Sequence, residues 1–356
     1  MQTLTKALTL FDRPTDGLPS NGSPRPVKSN PLARTCWTLA MLGLLHLGIH
    51  APAQANDLPR IGWVLSGTED SSRHLVAAMH AGLADEGFKD GREVNLDVRY
   101  LAGRTERYPE AFAELTRSPV KALAAASFLG ISAARDASGG RVPVSAYFCG
   151  NDVKQLVETF ARPGGNITGV SCFSAELAVK RVQLLKDAAP HLRRIGFLYD
   201  PRSLGKEKEF GEVRETAAKL GMSVTSATVS SIEGFREAFA SIRSAGAEAV
   251  VVSEDSFTFA NRALIVALAA EHHLIDISAF REFVMAGGVL SYGASAAEAI
   301  RQQARYAARM AKGTRPSDLP IWQPTRFEFV VNQKSARALG LSIPKSVLLR
   351  ADDVIE

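Results

Sequence analysis

The sequence predicts an α/β protein built as two parallel-sheet sets, and three observations carry that expectation. From residue 58 onward short apolar runs alternate with amphipathic helical stretches, the pattern of a parallel sheet covered on both faces. The alternation starts afresh after Ser174, so the two sets are of comparable size. No low-complexity linker separates them, which fits lobes joined by several short crossings.

The elements follow in order. Residues 61–65 form the first strand, and 71–86 a helix with Leu75, Met79 and Leu83 on one face, stopped by Gly87. Residues 94–100 alternate apolar with polar, as an outer strand wet on one face does. Helix 105–115, strand 120–125, helix 130–136, strand 142–148 and helix 152–161 come next. Arg162-Pro-Gly-Gly-Asn166 ends that helix and turns into strand 167–170. Phosphate loops run from a strand into a helix, the opposite direction, so this glycine pair reads as a structural turn. The second set has a helix to 189, strand 194–199, helix 207–220 and strand 223–229. Helix 232–244, strand 247–252, helix 259–271 and strand 274–277 complete the alternation.

Residues 1–55 stand apart. A cationic lead ends at Arg34, an apolar run spans 37–48, and Ala53-x-Ala55 has the small-residue spacing of a signal-peptidase site. This reads as a signal peptide cleaved after Ala55, with export to the periplasm, a retained anchor being the alternative. Cys36 precedes the apolar run and cannot serve as a lipid-attachment cysteine. The leader also explains the charge. Of the net +5, this segment holds five cations and two anions, leaving +2 on the rest. That balance excludes a nucleic-acid binder, which needs a clustered basic face. Composition at 46% hydrophobic and 22% charged excludes a disordered or fibrous chain. Cys149 and Cys172 remain after cleavage, either as a disulfide, which an oxidising compartment permits, or as two buried thiols.

Several chemistries lack their signatures. There is no Gly-x-Ser-x-Gly elbow after a strand. His272 and His273 are adjacent and point about 100° apart on a helix, and no Cys/His pair has zinc spacing. Ser66-Gly-Thr-Glu69 stands where a dinucleotide fold places its glycine fingerprint. No catalytic residue, metal or cofactor is therefore expected.

Ligands of open α/β sheets bind outside the carboxyl ends of strands, and those ends nominate a site. Ser66, Gly67, Ser127, Asn151 and Ser171 offer hydroxyls and backbone amides suited to a carboxylate. Asp152 or Asp255 can pair with an ammonium, and Phe128, Tyr199, Phe280 and Tyr292 can stack on a ring. The set fits an amino-acid-like zwitterion. Helix capping alone is the competing role for Ser66, Ser127, Asn151 and Asp152. In the stretch 278–293, Gly287, Gly288 and Gly293 supply backbone freedom and are nominated as a hinge, a helix cap being the alternative.

Three separated motifs carry a family resemblance: Ala161-Arg-Pro-Gly-Gly-Asn-Ile-Thr-Gly-Val-Ser171, Phe280-Arg-Glu-Phe-Val-x-Ala-Gly-Gly-x-x-Ser-Tyr-Gly293, and the tail from Pro324 to Glu356 with Phe-Glu-Phe-Val-Val-Asn332 and Ala-Asp-Asp-Val-Ile-Glu356. Together they resemble solute-binding proteins of ABC-type importers, of the type I periplasmic-binding family that includes aromatic amino-acid-binding members. The resemblance implies two Rossmann-like lobes with parallel sheets, joined by hinge crossings and closing on a small solute. It implies an inner-membrane ABC permease as partner, a monomer and no catalysis. On that reading residues 56–170 form the first lobe, completed by part of 290–325. Residues 171–289 form the second, and 290–356 the hinge return, helix and C-terminal segment. Asn151-Asp152-Val153, Asp200-Pro201 and Ala126-Ser127-Phe128 depart from the family pattern at the mouth, so tryptophan is not assumed as ligand. A ligand-presenting sensor subunit and a secreted hydrolase are the rival functions.

Overall fold

In the computed structural model, residues 58–149, 153–172 and 174–356 are described. The expected leader, its cleavage point at Ala55, and the nominated Asn151 and Asp152 lie outside the described residues.

Twelve strands form two sheets among the described residues. The first has β1 (Arg60–Leu65), β2 (Asn95–Tyr100), β3 (Ala122–Ala126), β4 (Val144–Phe148) and β5 (Ile167–Ser171), in the order β2-β1-β3-β4-β5 and all parallel. The second has β6 (Arg194–Tyr199), β7 (Ser223–Thr228), β8 (Ala249–Val252), β9 (Ile275–Ser278), β10 (Leu290–Gly293), β11 (Glu328–Asn332) and β12 (Asp353–Ile355), in the order β12-β11-β10-β9-β8-β6-β7. The central strands are buried along their length, as parallel strands covered on both faces must be.

The chain crosses between sheets where the pattern of apolar runs gives no signal. After β10 the helix Ala296–Ala311 leaves the second sheet and packs on the first. Gln303, fully buried, fastens it there: its Nε2 donates to the carbonyls of Ala125 (2.9 Å) and Ser145 (2.8 Å), and the Ser145 hydroxyl donates to the Gln303 carbonyl. At the helix surface Arg301 and Arg305 both grip Asp85, and Arg309 grips Glu86. The chain then runs along β5, where the Trp322 amide donates to the Gly169 carbonyl and the Ser171 amide donates to the Trp322 carbonyl. From there it returns to β11, which pairs antiparallel with β10. The second sheet is thus mixed rather than purely parallel, because its last two strands arrive from the first lobe.

Gly82 sets how closely that helix approaches. On the helix Glu69–Asp85, a Cβ at Gly82 would lie 2.1 Å from the Arg301 carbonyl and 2.6 Å from Ala304 Cβ. Gly82→Ala therefore gains about 1 kcal/mol in helix propensity but pushes backbone against backbone, an overpacking cost of about 1–3 kcal/mol or more. The expected result is a net loss of stability, read as a lower thermal midpoint.

Gly287 and Gly288 do not form a crossing. They follow the short helix Arg281–Met285 and lead into the amino end of β10, whereas the crossing leaves from its carboxyl end at Gly293. Gly287 has φ +107°, and a Cβ at Gly288 would meet the Asp276 carboxylate at 2.5 Å. The pair caps a helix and makes room for Asp276. Of the three nominated hinge glycines, Gly293 alone adjoins a crossing; a Cβ there would meet the Ala279 carbonyl at 2.2 Å.

Candidate functional site

The carboxyl ends of β1, β3 and β4 face those of β8 and β9 across a cleft. An apolar cluster runs through it without a break, from Trp63, Leu75 and Tyr147 in the first lobe to Phe257 and Phe280 in the second. Polar contacts draw the lobes together. The Arg202 guanidinium donates to Thr105 Oγ1 (3.2 Å), Arg262 donates to the Ser71 carbonyl (2.8 Å), and His74 Nε2 meets Glu282 Oε1 (3.1 Å). Arg262 also lies over the Phe259 ring at 4.8 Å, and Arg202 over Phe257 at 5.2 Å. This is a closed arrangement. The cavity left in the cleft is about 50 Å³, room for roughly three or four waters, so a larger guest requires the lobes to part.

Ser66, Gly67, Asp255 and Phe280, all nominated from the sequence, line this cavity. Ser66 and Gly67 lead into the helix Glu69–Asp85, whose first turn is capped by the reciprocal Thr68–Ser71 box. Ser127 stands at the edge, at φ +59°, a left-handed conformation that costs a non-glycine residue strain. The Tyr108 hydroxyl faces the hydroxyls of Ser66, Ser127 and, across the cleft, Ser256.

Asp255 is the most informative of them. It is 2% exposed and caps the helix Ser256–Ala260, its Oδ1 accepting the Thr258 amide at 2.8 Å. Its Oδ2 is buried with no hydrogen-bond partner. Burial pushes its pKa up to about 6, against the pull of Lys206 and with the repulsion of Asp200. An unpartnered carboxylate oxygen in a largely apolar cavity is costly unless a guest satisfies it.

Behind it lies a buried set of charges that sequence reasoning missed. Arg181, fully buried on the helix Ser174–Ala188, donates to the Tyr292 carbonyl (3.1 Å) and sits 3.6 Å from Glu254. Burial raises the Glu254 carboxyl above the usual range despite Arg181. Lys206 pairs with Glu209 at 2.7 Å. Burial works against its charge, yet Glu209, Asp255 and Glu254 hold the ammonium well above its ordinary pKa. Lysine and glutamate read as surface residues in a sequence, and only the fold reveals that these are enclosed.

Other nominated residues stand elsewhere. Tyr199 packs in the second lobe's core against Phe197 and Phe210, its hydroxyl donating to Glu207 at 3.2 Å. Tyr292 packs against Phe327 and Phe329, and its carbonyl accepts from Arg181. Phe128 is half-buried on the helix Ser127–Ala137 and does not line the cavity. Ser171 is buried, its amide held by Trp322 at the crossing. The rings that do line the cavity are Trp63, Tyr147 and Phe259 together with Phe280. Trp63 and Tyr147 lie inside their strands rather than beyond the ends, where strand-end reasoning does not look.

Cys149 and Cys172 are buried thiols and not a disulfide. With Glu254 they form the one group of metal-type donors found among the described residues.

Residues 64–355 match the family of ABC transporter substrate binding proteins. The chain belongs to this family. Among its curated relatives is a tyrosine-binding protein from Clostridioides difficile (strain R20291), 20% identical over 261 residues, which covers 73% of this chain and 74% of that one. Among solved structures, the ABC domain in complex with L-Trp from Streptococcus pneumonia superposes with a TM-score of 0.75 at 23% identity, covering 84% of this chain and all of that one. A conserved domain protein from Vibrio cholerae superposes with a TM-score of 0.76 at 20% identity, covering 83% of this chain and 99% of that one. The fold is accordingly that of type I periplasmic-binding proteins. Substrate-binding proteins of ABC transporters bind small molecules and work with membrane permeases. Among the described residues no helix is long and apolar enough to cross a membrane.

Proposed function

We propose that this substrate-binding protein takes an amino-acid-like solute with an aromatic side chain from outside the cytoplasm and delivers it, chemically unchanged, to an ABC permease for import. The observation that carries the reading is Asp255 Oδ2, a buried acceptor without a partner inside a cavity walled by Trp63, Tyr147, Phe259 and Phe280. The carboxylate would take the solute's ammonium. The Ser66 hydroxyl and the amides of Ser66 and Gly67, at the start of a helix, would take its carboxylate. The four rings would enclose its side chain. The names of two relatives, one tyrosine-binding and one solved with L-Trp, agree with this chemistry. A monomer exported by the 1–55 leader fits the same role.

Entry requires the contacts of Arg202, Arg262 and His74 to release and re-form, so closure is the signal a permease would read. The test is thermal unfolding of protein stripped of bound solute, against a panel of amino acids and small carboxylates. A true solute at one hundred times its dissociation constant adds about 2.7 kcal/mol. A rise in midpoint with tyrosine or tryptophan, and none with acidic amino acids, supports the reading. A flat response to the aromatic members defeats it.

A further inference from the structure

Cys149 and Cys172 directly follow the neighbouring strands β4 and β5 of the first lobe, while Glu254 follows β8 in the second. All three are buried, and their Sγ and carboxylate atoms lie within 4.8 Å of one another. We propose that these three residues form a thiolate–carboxylate site for one soft divalent cation, zinc by preference, that joins the two lobes at the floor of the cleft.

The strand geometry brings the two thiols together. β4 and β5 are parallel and in register from Val144↔Ile167 to Phe148↔Ser171. The ladder continues one rung further, the Cys172 amide donating to the Phe148 carbonyl at 3.1 Å, so the cysteines stand side by side. Parallel neighbours are held about 4.8 Å apart, a spacing within the Cα range that a disulfide spans, and here the two side chains remain thiols. Two thiolates on one tetrahedral zinc, with bonds of about 2.3 Å, stand roughly 3.8 Å apart sulfur to sulfur, which side chains reaching inward from that ladder can adopt.

One buried polar atom points to a missing partner: the hydroxyl of Tyr147, a residue 5% exposed whose charge environment includes Cys149, Cys172 and Glu254, makes no hydrogen bond. Glu254 Oε2 makes no hydrogen bond either but faces Arg181 at 3.6 Å. Sulfur and carboxylate donors in a tetrahedral set suit zinc rather than magnesium or calcium. The charges also fit. Two thiolates and a carboxylate carry three negative charges, the cation offsets two, and Arg181 and Lys206 stand beside Glu254. Binding replaces the two thiol protons, which leave to solvent. Because those protons must leave, uptake should weaken as pH falls. Cys149 also lines the cleft cavity, leaving the fourth position for water or a solute group. The site stands whether or not the solute is an aromatic amino acid.

The experiment titrates untagged, reduced full-length chain with Zn²⁺ against a chromophoric chelator, and separately with Co²⁺. One equivalent of Zn²⁺ per chain, and a thiolate-to-metal charge-transfer absorption with Co²⁺, are expected. Both should vanish in Cys149→Ser/Cys172→Ser, while Glu254→Gln keeps the sulfur band and loses affinity. Failure of the reduced native chain to take up stoichiometric metal would overturn the proposal whatever the variants do. So would uptake that survives in the double serine variant, or cysteines found joined as a disulfide in protein alkylated at the moment of isolation from its host.

Discussion

Asp255→Asn is expected to weaken solute binding by at least about 30-fold while leaving the fold intact. Asparagine keeps the oxygen that accepts the Thr258 amide, so the helix cap survives. What it removes is the negative charge opposite the solute's ammonium. Truncating one member of a buried charged pair costs about 2–5 kcal/mol, a loss of roughly 30-fold to several thousand-fold in affinity. Calorimetric titration of wild type and variant reads this directly. A variant that binds within a factor of three of wild type would remove Asp255 from the site.

The same carboxyl predicts a pH dependence of definite sign. Its folded pKa is about 6 and its ordinary value 3.8. Between these values the folded protein holds a proton that the unfolded chain has released. Asp255 therefore favours folding at low pH, and that contribution is lost as pH rises from about 4 to 6. Asp276, raised to about 7 by burial, acts in the same direction over a wider window. Affinity runs the other way. An ammonium needs the ionised carboxylate, so binding should be flat above pH 6 and fall about tenfold per unit below it. Asp255→Asn should flatten that profile.

Arg181→Met is expected to be the most destabilising of these substitutions. It leaves Glu254 buried without its cation and the Tyr292 carbonyl without its donor. Breaking a buried pair from one side costs about 3–5 kcal/mol, a large fraction of the stability of any domain. Adding Glu254→Gln should recover much of that loss, because the stranded charge is then gone. The urea midpoints of the two single variants and the double variant measure the coupling. Additive losses would mean that Arg181 acts through packing alone.

The fold was largely legible because buried parallel strands read as continuous apolar runs. The runs at 61–65, 122–126, 144–148 and 249–252 need no tertiary information. The tail was illegible for a physical reason. β11 and β12 join the second sheet only after the chain has visited the first lobe, and nothing local in 328–355 encodes that return. The expected helix at 152–161 shrinks to Val153–Leu156, since Arg162-Pro-Gly-Gly leaves its end held instead by loop contacts such as the Glu158 amide donating to the Pro163 carbonyl. Of the strand-end nominations, Ser66, Gly67, Asp255 and Phe280 line the cavity, because small, acidic and capping residues mark those ends. The rings of Tyr199 and Tyr292 turn into the second lobe's core instead. Sequence reasoning missed Arg181, Lys206 and Glu254, charged residue types whose enclosure only the fold reveals.

The central claim is that the cleft grips one zwitterionic guest and releases it unaltered. Calorimetric titration of stripped protein with L-tyrosine and with L-tryptophan, followed by chemical analysis of the recovered solute, tests it most directly. One site per chain, saturable binding above pH 6 and intact amino acid afterwards are the predicted result. No heat from either amino acid at any pH, or a solute recovered chemically changed, would contradict it.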